Sequence, residues 1–187
     1  MTIKTIILDR DGVINYDSDL FIKSPDEFIF LPNSIQALEN IAKYNIQLFI
    51  TTNQSGLARN LFDRETFFLI NQKLLTNLST NLSKNIITAI YYCPHYNNNC
   101  PCRKPLPGMI NKIKLIHNIN LETTALIGDS MRDLEAGKAA GCQYNFLVKT
   151  GKGQEVYNKS SNSHLFNNTN CFSELNSCIN YIIDNYI

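Results

Sequence analysis

The stretch IKTIILDRDGVIN, residues 3–15, decides the fold. Ile3 to Leu8 is a short apolar, β-branched run of the kind that buried strands use, and it halts at a turn marked by Gly12. Asp9 and Asp11 stand one residue apart. They converge only where the strand ends and the chain turns, so the first strand delivers two carboxylates at its C-terminal end.

Working outward, the same pattern repeats. Ile46 to Thr51, Ile86 to Tyr92, Thr124 to Ile127 and Tyr144 to Val148 read as buried strands. Between and after them, helical patterns cover Ser34 to Tyr44, Arg64 to Leu82, Gly108 to His117, Met131 to Ala140 and Ser173 to Asn185. Strands separated by helices of this length predict βαβ units and a parallel, doubly wound, Rossmann-like α/β sheet. At 187 residues, with no internal repeat and no linker-like stretch, the expectation is one domain over residues 1–187.

Composition removes several functional classes. With 17 basic against 16 acidic residues the net charge is +1, which gives no electrostatic reason to expect a nucleic-acid or membrane-surface partner. No apolar run approaches the roughly 20 residues that cross a bilayer. The opening MTIKTIILDRDGVI meets three charges at Asp9, Arg10 and Asp11 before any long apolar region develops, so it does not read as a signal peptide. The expected location is the cytoplasm, where thiols stay reduced and the sequon Asn81-Leu82-Ser83 has no meaning. The many asparagines are compositional, and weaken any reading of a single one.

In doubly wound sheets ligands bind beyond the C-terminal strand ends. The residues there are DRDGV (9–13), TTNQSG (51–56), a Cys/His loop followed by Arg103-Lys104, and GDSMRD (128–133). One carboxylate of the first pair could attack an electrophile while the other handles protons. Asp129 would complete an oxygen-rich site for a hard cation such as Mg²⁺, and a Lys with a Thr hydroxyl would suit phosphoryl oxygens. Taken singly each piece has a bland reading: Asp-x-Asp is commonly a turn, and Gly-Asp a βα turn with a helix cap. Four in this order, each at a strand end, weigh against that reading.

The third strand runs into YYCPHYNNNCPCRKPLPGM, residues 91–109. Its pattern C-x-H-x4-C-x-C places Cys93, His95, Cys100 and Cys102 within ten residues, while Cys142, Cys171 and Cys178 are scattered. Three thiols and an imidazole suit a tetrahedral Zn²⁺ site, and four protein ligands leave no open position, so the zinc is expected to be structural. A loop this polar and proline-broken needs such a metal to hold its shape. The metal would also pre-position Arg103 and Lys104 at the sheet edge.

DRDGVIN, TTNQSG, RKPLPGM and GDSMRD resemble the motifs of the haloacid dehalogenase (HAD) superfamily of aspartate-nucleophile phosphatases, over about residues 1–155. Within it, TNQSGLAR, YYCPH, CRKPLPGM and VKTGKG resemble the D-glycero-D-manno-heptose-1,7-bisphosphate 7-phosphatases. The resemblance implies a Mg²⁺-dependent phosphatase of ADP-heptose and lipopolysaccharide-core precursor synthesis, acting as a monomer on a small-molecule sugar bisphosphate. It implies Asp9 as nucleophile and Asp11 as acid and base. Mg²⁺ would be held by Asp9, Asp129 and the main-chain carbonyl of Asp11. Thr52 and Lys104 would bind the transferring phosphoryl group, with Asn53 helping to place it. Arg103, the segment Asp17, Ser18, Asp19 and Leu20, and the turn at Gln54 and Ser55 would reach the rest of the substrate. Asp133 is expected to support the site without binding the metal. A zinc loop at this place is a feature of the group.

Two departures bear on substrate choice. The stretch between His95 and Cys100 is short, nearer to the histidinol-phosphate phosphatases, and Ser130 stands where some members carry Lys. Histidinol phosphate is therefore the competing substrate, with Ser55 against it because those enzymes tend to carry an acid there. A polynucleotide 3′-phosphatase would need a basic surface. A non-enzymatic zinc-stabilised module would need lost catalytic groups. No large cap domain fits either after Gly12 or in the zinc loop, so loops must shape the pocket. Among the remaining residues, His117 and Cys142 read as structural, His164 as solvated, and Tyr91-Tyr92 as packing at the strand end. Lys149 and Lys152 read as a solvated loop on the active edge, within reach of a distal phosphate.

Overall fold

β1 (Thr5–Leu8) is buried at all four positions, because helices cover both faces of the sheet it centres. The computed structural model describes residues 2–81, 86–97, 99–160, 166 and 169–187. The other elements are α1 (Ser34–Ile41), β2 (Gln47–Asn53), α2 (Arg64–Asn81), β3 (Ile87–Cys93), α3 (Gly108–His117), β4 (Thr124–Gly128), α4 (Met131–Ala140), β5 (Tyr144–Val148), α5 (Gly153–Ser160), β6 (Thr169–Phe172) and α6 (Leu175–Tyr186). The six strands form one parallel sheet in the order β3-β2-β1-β4-β5-β6.

Alternation along the strands builds a core on each side. Ile6, Leu8, Leu48, Ile50, Ala125, Ile127, Phe146 and Val148 pack with Ala37, Leu38 and Ile41 of α1, Ile70 and Leu74 of α2, and Leu175, Ile179 and Ile182 of α6. Ile7, Phe49 and Leu126 point the other way, onto Ile110 and Ile113 of α3 and Ala136 of α4. Leu8 is in register with Ile50 and with Ile127, so β2 and β4 run on past the end of β1, to Asn53 and Gly128. Strand order reverses about β1 and β4, and the crevice beyond their ends is where this architecture binds ligands.

Beyond shifts of one or two residues at strand ends, expected and observed elements differ in four places. α1 stops at Ile41 rather than Tyr44, the chain turning there through Ala42, Lys43 and Tyr44 backbone bonds. α6 starts at Leu175. β6 and α5 were not anticipated: both are short, and both border an asparagine- and serine-rich stretch that hides their periodicity. α6, to which no function was attached, closes the first core, and Tyr186 C=O accepts the Ile3 N–H at 3.0 Å. His164, Leu82, Ser83 and Asn98 lie outside the described residues.

No cap interrupts the sheet. Among the described residues, neither 9–33 nor 94–107 contains a helix or a strand, only isolated bridges at Asp11, Asn15 and Phe30. Among the described residues no helix is long and apolar enough to cross a membrane.

Candidate active site

The crevice is a cleft of about 280 Å³ beyond the ends of β1, β2 and β4. Its floor carries Asp9 and Asp11 from the turn after β1, Thr52 and Asn53 from β2, Lys104 from the loop after β3, and Asp129 after β4. The turn after β1 is held by the Arg10 carbonyl, which accepts N–H bonds from Val13, Ile14 and Asn15. Gly12 sits at φ +86°, and a Cβ there would lie 2.2 Å from Asp129 Oδ2; a Cβ on Gly151 would lie 2.1 Å from the same atom. Two glycines thus make room for one carboxylate.

Lys104 is the hub. The residue is 3% exposed, and its ammonium lies 2.8 Å from Asp9 Oδ1, 2.6 Å from Asp133 Oδ1 and 2.8 Å from the Thr51 carbonyl it donates to. One hydrogen bond and two ion pairs surround the ammonium, so the buried charge has its counter-charges beside it. Asn53 fixes the lysine from behind: its Oδ1 accepts the Lys104 N–H at 3.1 Å and its Nδ2 donates to the Lys104 carbonyl at 3.0 Å. Asp133 divides its oxygens, Oδ1 to Lys104 and Oδ2 to the Ser130 N–H at 3.0 Å and hydroxyl at 2.5 Å. Asp133 also caps α4, so both its oxygens already have partners within the protein, an ion pair at Oδ1 and hydrogen bonds at Oδ2.

Charge in this pocket is expensive. Burial pushes Asp9 up to about 7 despite Lys104, with Asp133 and Asp11 adding repulsion. Burial, then the charges of Asp133 and Asp9, lift Asp129 well above the usual carboxylate range. Lys104 is held above its ordinary value: burial opposes its charge, but Asp133 and Asp9 outweigh it. Carboxylates of Asp9, Asp129 and Asp133 have ligand atoms within 4.8 Å of one another. With Asp133 already engaged, the remaining pair is a hard, oxygen-only, cation-deficient donor set. That set fits Mg²⁺.

Asp11 is treated differently. Burial opposes its charge too, but Arg10, Asn15 and Gln54 hold its carboxyl below the ordinary range. Arg10 Nε and Nη2 reach Oδ1 and Oδ2, each at 3.1 Å; Asn15 Nδ2 donates to Oδ1 at 2.8 Å and Gln54 Nε2 to Oδ2 at 2.9 Å. Gln54 also donates to Thr52 Oγ1 at 2.7 Å.

Cys93, His95, Cys100 and Cys102 come together as well. Cys93 Sγ lies 3.4 Å from His95 Nδ1, 3.5 Å from Cys100 Sγ and 3.2 Å from Cys102 Sγ. Donors held about 2.0–2.3 Å from one ion at tetrahedral angles stand roughly 3.5–3.8 Å apart, so the cluster has the size of a zinc site. Burial pushes the Cys93 thiol up to about 12, and a bound cation would reverse that by stabilising the thiolate. The next residue after the last thiol, Arg103, donates to the His95 carbonyl at 3.1 Å and lines the cleft.

At the rim, Asp17, Ser18, Asp19, Gln54, Ser55 and Ser130 line the cleft where expected. Leu20 does not. The Phe21 N–H bonds back to the Ser18 carbonyl at 3.0 Å, Phe21 takes φ +66°, and Leu20 at the corner of that turn is 77% exposed while Phe21 and Ile22 face the cleft. Arg59 and Arg132 also line it and were not anticipated. Arg59 lies 3.9 Å over the Tyr96 ring of the zinc loop and 5.8 Å over Phe21, tying together the loops that roof the site. Lys152 pairs with Asp19 at 3.0 Å and Asp17 at 3.6 Å across the mouth, and its N–H donates to Asp129 Oδ2 at 2.8 Å. Tyr91 and Tyr92 stay out of the cleft: Tyr91 bonds His117 at 3.0 Å and Tyr92 packs on Phe67. His117 also packs on Phe49, and Cys142 is buried in the second core.

Comparison with known proteins agrees with this geometry. Residues 101–169 match a family described as HAD-hydrolase-like. The D-glycero-beta-D-manno-heptose-1,7-bisphosphate 7-phosphatase of Bordetella bronchiseptica is 46% identical over 82% of this chain and 84% of its own length. The enzyme of the same name from Neisseria meningitidis serogroup A is 38% identical over 96% of this chain and 95% of its own. A crystal structure of the D,D-heptose 1,7-bisphosphate phosphatase from B. bronchiseptica, complexed with magnesium and phosphate, superimposes with a TM-score of 0.90 at 40% identity, covering 97% of this chain and 99% of the other.

Proposed function

The chain belongs to the D-glycero-beta-D-manno-heptose-1,7-bisphosphate 7-phosphatase family of HAD-type hydrolases, and from that premise we propose that it releases the 7-phosphate of the beta-anomeric heptose 1,7-bisphosphate. The observation that carries the chemistry is the ion pair of Lys104 with Asp9 at the edge of the sheet, beside Asp129. Lys104 and the Arg10 N–H both bond Asp9 Oδ1, and no donor is paired with Oδ2 among the described residues.

Asp9 attacks phosphorus; an Asp–O–P bond forms, the bond from phosphorus to the sugar oxygen breaks, and that oxygen takes a proton from Asp11. A water then attacks the aspartyl phosphate, Asp11 takes back a proton, and inorganic phosphate leaves with Asp9 regenerated. The resting Asp11 carboxyl is held low, but a phosphoryl dianion in the cleft raises its proton affinity by like-charge repulsion. Asp9, Asp129 and the Asp11 main-chain carbonyl would hold Mg²⁺, which when bound supplies positive charge against the phosphoryl oxygens. Thr52 and Lys104 bind the transferring group, and Asn53 positions Lys104 through its peptide. Arg103, Gln54, Ser55, Ser130 and the Asp17–Asp19 rim meet the rest of the substrate. The four-residue Cys/His cluster holds a structural Zn²⁺.

All six cysteines are free of disulfides, which supports a reducing compartment such as the cytoplasm, and the chain is taken to act as a monomer. The test is phosphate release from both anomers of the bisphosphate and from histidinol phosphate, with Mg²⁺ and with EDTA. The beta bisphosphate should be preferred and EDTA should abolish turnover. Preference for histidinol phosphate would keep the mechanism and overturn the substrate.

A further inference from the structure

Arg10 is 0% exposed, the largest fully buried side chain, and nothing in the reaction so far uses it. It lies between the two carboxylates in sequence and points away from the cleft. Its guanidinium lies 5.8 Å over the Phe28 ring and 5.7 Å over the Phe67 ring, so aromatic faces replace water around the charge. Nη1 donates to Asn71 Oδ1 at 3.2 Å. Asn71 is itself locked: its Nδ2 donates to the Phe67 carbonyl one turn earlier in α2 at 3.0 Å, which leaves only Oδ1 to face Arg10. The other edge of the fork grips both oxygens of Asp11.

A fork on a carboxylate fixes orientation as well as charge, because two parallel bonds resist rotation where one does not. The chain of contacts therefore runs from α2 through Asn71 and Arg10 to the Asp11 carboxyl. We infer that Arg10, braced by Asn71, is a positioning residue that sets where Asp11 stands relative to the oxygen leaving phosphorus. This rests on the reading of Asp11 as the proton donor in the first step. A bulky hydrophobe could fill the space between Phe28 and Phe67, but it could not orient Asp11.

The experiment separates orientation from mere structure by the leaving group. A sugar oxygen needs a proton as it leaves, whereas p-nitrophenolate leaves as a stable anion. kcat/KM on both substrates, which covers the steps through phosphoryl transfer, is measured for the wild-type protein, Arg10→Lys, Asn71→Ala and Asp11→Asn, with far-UV circular dichroism on each. Arg10→Lys keeps the charge and loses the fork. It should fall about 10- to 100-fold on the sugar bisphosphate, part of the roughly 10²–10⁴ that a positioned acid supplies, and within about threefold on p-nitrophenyl phosphate. Asn71→Ala should show the same split, smaller, and stands in if Arg10→Lys fails to fold.

Equal losses on the two substrates in the folded variants, with Asp11→Asn still split, would overturn the role of Arg10 alone. Equal losses in Asp11→Asn would overturn the proton-donor reading and this inference with it.

Discussion

Lys104→Met removes a buried ammonium while keeping the length of the side chain, and its consequences can be worked out from three distances. The lysine stands 2.8 Å from Asp9, 2.6 Å from Asp133 and 2.8 Å from the Thr51 carbonyl. Without it, Asp9, Asp129 and Asp133 share a buried pocket with no side-chain cation paired to any of them among the described residues. Removing one partner of a buried pair costs about 3–5 kcal/mol, most of it the stranded charge. At roughly 2–4 °C per kcal/mol for a chain of this size, the melting temperature in EDTA should fall by about 6–20 °C. The pH dependence gives a sharper test. In the variant the folded pKa of Asp9, already raised by burial, rises further above its unfolded value of about 3.9. An acid raised on folding binds its proton more tightly in the native state, so stability is lost as pH climbs from the unfolded pKa toward the folded one. The deficit should therefore be small near pH 5 and widen toward pH 8, and Mg²⁺ should recover part of it. Melting curves followed by circular dichroism at pH 5 and 8, with EDTA and with Mg²⁺, provide the assay. A melting temperature unchanged at pH 8, or an equal deficit at both pH values, would refute the assignment of Lys104 as the counter-charge of this pocket.

Mg²⁺ affinity should follow the proton on Asp9. With its metal-free pKa pushed up to about 7, binding below that pH must displace a proton, so the apparent affinity should weaken by up to about tenfold per pH unit below 7; calorimetry in buffers of different ionisation heat measures the proton released. Stripping zinc, or Cys102→Ser, should free the loop that Arg103 ties through the His95 carbonyl. KM for the bisphosphate should then rise more than kcat falls, and the melting temperature should drop; unchanged values in protein shown by elemental analysis to lack zinc would rule out the scaffold role.

The strands and the ends that carry chemistry were legible because buried parallel strands write short apolar runs, and because turn glycines and acids mark where they stop. The zinc loop was legible because its donors are adjacent in sequence. What escaped reading was set by contacts between distant residues or by backbone conformation. Leu20 was placed at the pocket and lies outside it because the left-handed φ at Phe21 turns the chain over, and no period predicts that. Arg59 and Arg132 reach the cleft from within the stretches TNQSGLAR and GDSMRD, where the resemblance attached no role to either. Arg10 lay in plain view between two acids, but its partner Asn71 is 61 residues away, on a helix whose apolar pattern gives no reason to single out one asparagine.

These buried groups also explain why the acids differ. Asp11 has its own cation in Arg10, and its charge is the comfortable one. Asp9 and Asp133 share Lys104 between them, and Asp129 receives only a main-chain N–H from Lys152 among the described groups. Four carboxylates against the two buried cations leave two negative charges, and the deficit falls on Asp9 and Asp129, the pair whose oxygens remain available. A divalent cation is the smallest addition that cancels it. The fold therefore distributes its own positive charge so that Asp11, the proposed proton-handling acid, is held firmly, while Asp9, the proposed nucleophile, and Asp129 are left short of positive charge that a metal would supply. The same Asp-x-Asp spacing yields two different electrostatic environments because the side chain between the acids is an arginine that turns into the core.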